Sequence, residues 1–114
     1  MPMLKIQTNI TLADESKKAL AALASSTVAG ILGKPERYVM VGIEENTSML
    51  FGGSDAPLAY LELKSIGLPE NQTSEFSARL AKLLEEQLGL PADRVYIEFA
   101  DAPRNMWGWN GGTF

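Results

Sequence analysis

An α/β fold built from a duplicated β-α-β unit is the reading this 114-residue chain supports, with a four-stranded mixed sheet and two helices on one of its faces. Three observations carry it. Gly33-Lys34-Pro35-Glu36-Arg37-Tyr38-Val39 and Gly89-Leu90-Pro91-Ala92-Asp93-Arg94-Val95 share a Gly-x-Pro start and an arginine that leads into an apolar run, and their glycines lie 56 positions apart. Ahead of the first copy Leu20, Leu23, Ala24, Val28 and Ile31 recur at helical spacing, as Phe76, Leu80, Leu83, Leu84 and Leu88 do ahead of the second. Between the helices, short runs alternate apolar and polar residues, the period of strands buried on one face.

The first strand is expected over Met3–Asn9, with Leu4 and Ile6 facing the core. A helix follows, with Asp14 the expected N-cap and Gly33 the stop, because glycine at the position after a helix followed by proline ends it. The second strand, Tyr38–Glu44, turns Val39, Val41 and Ile43 inward, and Phe51-Gly52-Gly53-Ser54 is a turn region between the halves. The third strand, Leu58–Ser65, buries Ala59, Leu61 and Leu63; the second helix is capped by Asn71 or Thr73 and stops at Gly89. The fourth strand, Val95–Ala100, buries Val95, Ile97 and Phe99. Both helices cover that face. The other face carries Met3, Lys5, Gln7, Tyr38, Met40, Tyr60, Glu62, Lys64, Tyr96 and Glu98, a mixture of aromatics and charge suited to a subunit interface or a ligand surface. The tail from Met106 to Phe114 is aromatic, so it docks, either on its own chain or along a neighbour's sheet edge.

Composition narrows the chemistry. At this length the chain forms one domain over residues 1–114, with 46% hydrophobic content to fill its core. The formal charge of -4, with no block of like charges, argues against a nucleic-acid or anionic-membrane partner. Without cysteine or histidine there is no disulfide, no thiol chemistry, no Cys/His zinc site and no histidine base, and no cofactor is expected. The start Met1-Pro2-Met3-Leu4-Lys5-Ile6 has neither the charge nor the apolar length of a secretory signal, so a cytoplasmic location is the default expectation.

Another base is available in Pro2. If Met1 is removed, Pro2 presents a secondary amine fixed in a ring. An α-amino group titrates near 7.7–8 in water, and burial or a neighbouring cation lowers that value toward the range of a neutral-pH general base. Taken alone, Pro2 is more economically read as a small residue that aids methionine trimming.

Read together, Met1-Pro2-Met3, Gly33-Lys34-Pro35, Phe51-Gly52-Gly53-Ser54, Ser65-Ile66-Gly67, Asp93-Arg94-Val95-Tyr96-Ile97, Gly108-Trp109-Asn110 and Thr113-Phe114 resemble the macrophage migration inhibitory factor family of the tautomerase superfamily, from Pro2 to Phe114. The resemblance implies a homotrimer whose sheets surround a central channel, with a tautomerase site at each subunit boundary. It implies keto–enol conversion of small aromatic α-keto acids such as phenylpyruvate, with Pro2 as the base. Lys34 matches the position that meets the substrate carboxylate, Ile66 one whose backbone amide touches substrate, and Tyr96 an aromatic supplied by the adjacent subunit. Met3, Tyr38, Trp107, Trp109 and Phe114 are expected in the pocket wall or rim, although an aromatic core or interface would explain each of them equally.

Two positions depart from the animal members. Glu98 stands where they carry Asn, and an ionised carboxylate accepts a hydrogen bond but donates none, so weaker activity or altered substrate preference is expected if it faces the pocket. Ala56-Pro57-Leu58-Ala59-Tyr60 replaces their Cys-x-x-Cys pair. The competing reading is a cytokine-like or immunomodulatory binding protein with a vestigial site; the family includes members secreted without a signal peptide, and a host receptor would then be a partner. Without the resemblance, two β-α-β units also fit a ferredoxin-like ligand-sensing module.

Overall fold

The computed structural model describes residues 1–114. In chain order the elements are β1 (Met3–Thr8), α1 (Asp14–Leu32), β2 (Met40–Glu44), β3 (Ala59–Ile66), α2 (Thr73–Leu88), β4 (Val95–Ala102) and a small hairpin of β5 (Gly108–Trp109) and β6 (Gly112–Thr113). The main sheet runs β2-β1-β3-β4. Each β-α-β half pairs its own strands in parallel, β1 with β2 and β3 with β4, and the halves join antiparallel through β1 and β3. The sheet is therefore mixed, and the duplicated unit is visible as two halves meeting at its centre.

Alternation decides which face is dry. Leu4 and Ile6 of β1 sit opposite Leu63 and Leu61 of β3, and all four are fully buried. Leu20, Ala24 and Val28 of α1, with Leu80, Leu83 and Leu84 of α2, close over them, while Val39, Val41, Ile43, Val95, Ile97 and Phe99 pack around the margin. Burying a side chain of this size contributes roughly 1.5–3 kcal/mol. Thr8 and Ser65 are the buried polar residues, and both are satisfied: the Thr8 hydroxyl donates to the Leu58 carbonyl at 2.7 Å and accepts from the Ile10 N–H at 3.1 Å, and the Ser65 hydroxyl donates to the Ile66 carbonyl at 3.1 Å.

Helix ends follow the glycines. Gly33 and Gly89 take the left-handed conformation at φ 63° and 67°, which a Cβ would penalise, and their halves of the chain leave the helices there. Helix starts differ from expectation. Asp14 is already the first helical residue; Ala13 holds the cap position without a side-chain bond, and the Asp14 carboxylate pairs with Lys17 at 3.3 Å. Thr73 likewise begins α2, its hydroxyl donating to the Glu70 carbonyl, because the turn at Glu70–Gln72, which contains Asn71, runs straight into the helix. Tyr38 is not part of β2. It closes a short 3-10 turn, Glu36–Tyr38, that follows Pro35.

Candidate active site

The N-terminus enters the sheet as a buried segment. Pro2 is fully enclosed, and its carbonyl accepts the Met40 N–H at 2.9 Å, extending the β1–β2 pairing one residue past the strand. Beside it lies a pocket of about 220 Å³ lined by Met1, Pro2, Met3, Tyr38, Val39 and Met40, by Arg37, and by Trp107, Gly108, Trp109 and Phe114 of the tail. The tail docks on its own chain. The Trp109 and Phe114 rings stack at 5.4 Å, and Tyr38 meets them edge-on at 6.1 and 6.2 Å, a geometry that matches the positive edge of one ring to the face of another. The Phe114 N–H donates to the Trp107 carbonyl and ties the last residue down.

Arg37 is the only charged side chain in the lining, which holds no Asp or Glu. The Met1 amine has its pKa lowered from the usual 8.0, first by burial and then by the positive charge of Lys34. Lys34 follows the C-terminus of α1, where the helix dipole favours a cation. Its ammonium also lies over the turn after β3: a β-carbon placed on Gly67 would stand 3.9 Å from it. Gly67 itself is left-handed at φ 68°. That turn is held from the other side by Asp101, whose carboxylate accepts the N–H groups of Leu68 and Ala102. The Ile66 side chain is buried in the core, so only its backbone faces the turn.

Pro2, Met3, Tyr38, Trp107, Trp109 and Phe114 therefore share one pocket; Lys34 and Ile66 lie outside its lining, the Lys34 charge acting on the Met1 amine and its ammonium lying near the Gly67 turn. Tyr96 and Glu98 stand apart from it in the same chain. Tyr96 pairs in register with Tyr60, which pairs with Gln7 at the far end of β1 from Pro2. Its ring is 65% exposed and leans on Phe51 at 4.6 Å, beside a second apolar pocket of about 320 Å³ walled by Met49, Leu50, Leu58 and Tyr60. Glu98 accepts the Tyr60 hydroxyl at 2.7 Å, with Glu62 at 3.2 Å from the same oxygen. The Glu98 hydrogen bond, then desolvation, holds the Tyr60 phenol well above its usual 10, so it stays a donor. No group of three or more His, Cys, Asp or Glu side chains is placed to hold a metal ion, and no helix is long and apolar enough to cross a membrane.

Four lining residues, Arg37, Val39, Met40 and Gly108, were not singled out as site residues from sequence. Met40 alternates correctly for the outer face and carries no further signal. Arg37 precedes Tyr38 in the repeated segment, which is the one cue that would have found it.

Comparison with known proteins agrees over the whole chain. A family model for macrophage migration inhibitory factor (MIF) matches residues 1–114. A macrophage migration inhibitory factor homolog of Brugia malayi is 41% identical over 115 residues, covering 100% of this chain and 99% of that protein. Among solved structures, a homologue from Prochlorococcus marinus superposes with a TM-score of 0.92 at 42% identity, covering 98% of each chain. The Trichinella spiralis factor gives 0.92 at 36% identity, over 98% of this chain and 99% of that one.

Proposed function

The chain belongs to the macrophage migration inhibitory factor family of the tautomerase superfamily, and on that premise we propose that it interconverts keto and enol forms of phenylpyruvate-like α-keto acids, with the Pro2 amine as the base once Met1 is removed. The family has tautomerase activity; the substrate and the residue roles are our reading. One observation carries it: Pro2 is buried at the floor of an aromatic pocket, where burial and Lys34 already lower the pKa of the amine attached to it.

The chemistry follows from that placement. Ketonisation moves a proton from the enol oxygen to the adjacent carbon, so one base able to release what it accepts can serve both positions. Losing Met1 converts the Pro2 nitrogen from an amide, which is not a base, into a secondary amine in the buried site. Lys34 takes the substrate carboxylate and offsets charge that develops on the enolate, the Ile66–Gly67 backbone lies beside it, and Met3, Tyr38, Trp109 and Phe114 receive the aromatic ring. Tyr96 and Glu98 serve the pocket of an adjacent copy, since family proteins typically form trimers and both residues lie away from Pro2 in their own chain. Glu98 favours a second reading, a signalling protein whose catalysis is weakened, because its carboxylate would repel the substrate acid.

Ketonisation of enol-phenylpyruvate separates the two. Protein whose mass shows Met1 gone is compared with Pro2→Gly purified identically. Activity that falls by about a hundredfold or more in the variant assigns catalysis to the ring-held amine of Pro2, since glycine there keeps only a flexible primary amine. A correctly processed parent with no activity leaves the binding-protein reading.

A further inference from the structure

Two arginines occupy the 3-10 turns that open the second strand of each half, and they are used differently. Arg94 is fully engaged: its guanidinium donates to the carbonyls of Phe51, Ser54, Ala56 and Pro57. Arg37 donates no hydrogen bond and forms no ion pair within the chain. It is nonetheless held, lying over the Tyr38 ring with its central carbon 4.8 Å from the ring centroid. Tyr38 in turn is fixed by Trp109 and Phe114. The result is a guanidinium without an Asp or Glu partner on the wall of a largely apolar pocket.

We propose that Arg37 is a specificity-determining residue that receives a second acidic group on the substrate, so that the preferred class is an aryl α-keto acid whose ring carries a carboxylate or similar anion away from the keto acid. This rests on the reading of the pocket as the tautomerase site. Lys34, at the amine and the Gly67 turn, takes the α-carboxylate; the rings of Tyr38, Trp109 and Phe114 take the aryl group; Arg37, on the Tyr38 side, meets what the aryl group bears. A guanidinium suits this task because its planar fork can stack on an aromatic face while donating two parallel hydrogen bonds to a carboxylate. A monoacid such as phenylpyruvate leaves those donors to water, so it neither uses nor strongly misses Arg37.

The test compares the enols of phenylpyruvate and 4-carboxyphenylpyruvate with Met1-free protein, Arg37→Gln and Arg37→Lys. Arg37→Gln should lower the ratio of kcat/KM for the diacid to that for phenylpyruvate by about threefold to tenfold, the scale of a partly solvated charge pair. Arg37→Lys should recover part of the loss, and the diacid preference should shrink as salt is raised. An equal fall for both substrates, or no fall for the diacid, would overturn the proposal. Equilibrium binding of terephthalate against benzoate, followed by calorimetry, keeps it testable if the protein proves to have no turnover. Tighter terephthalate binding that Arg37→Gln abolishes supports the anion site without the tautomerase reading; equal affinities refute it.

Discussion

An amine acts as a neutral-pH base only where its surroundings disfavour its cation. At the start of this chain burial does most of that and Lys34 adds to it. The sign of the pH dependence follows. The protonated amine cannot accept a proton, so kcat/KM should rise with pH and level off above the pKa of the Pro2 amine, which the same burial and the same Lys34 charge should lower as they lower that of the Met1 amine. Lys34→Ala removes the smaller cause and leaves the larger. The inflection should move up only in part, and KM should rise as the carboxylate loses its partner. A pH–rate profile of the Met1-free parent and variant checks both; an inflection that stays put would show that the Lys34 charge does not act on the catalytic amine. At this scale the sequence was informative where a residue type has few uses. A proline behind the initiator, in a chain without histidine or cysteine, left few bases to consider. Arg37 was marked only as the arginine that the repeated segments share, which gives no hint of a pocket, and only the packing of Tyr38 against the tail brings it onto one.

The elements show the same contrast. Both helices stop where glycine permits, since a left-handed C-terminal residue selects glycine strongly enough to be read directly. Their starts were misplaced, because Ala13 and Gln72 occupy the cap positions and neither makes a side-chain cap. No side-chain preference was present to read. The connection between the halves depends on a contact that no periodicity encodes. Arg94, at the start of β4, gathers four carbonyls between Phe51 and Pro57 and lies over the Phe51 ring at 5.1 Å. Arg94→Ala should cost about 2 kcal/mol, the value of hydrogen bonds to a charged group less what water replaces. Arg94→Lys should restore less than half, since an ammonium cannot reproduce the planar fork. Urea denaturation at fixed protein concentration measures both, and a loss under about 0.5 kcal/mol for the alanine variant would mean the loop holds itself.

For the whole molecule, the question is what completes the surfaces that one chain leaves open. β2 and β4 are both sheet edges, and unpaired edges of this kind are usually covered. Met40, Leu50 and Tyr96 are 66%, 70% and 65% exposed. Alternation along the strands identified the sticky outer face, but nothing in one chain's periodicity says which copy meets it; that expectation came from the family resemblance, where proteins typically assemble as trimers. The prediction is a mass in solution three times the chain's 12.4 kDa, with each site built from two copies. Complementation tests the sharing itself. Pro2→Gly replaces the ring-held amine with a flexible primary one and Tyr96→Ala removes the aromatic, so each homotrimer should lose most of its activity. Unfolded together in equal amounts and refolded, they should form hybrids in which a Tyr96→Ala chain supplies Pro2 and its neighbour supplies Tyr96. Random assembly around a threefold axis restores about a quarter of the sites. A mixture as inactive as its parents would mean that Tyr96 does not serve a neighbour's site, because no arrangement of two defective chains can repair a pocket that each chain builds alone.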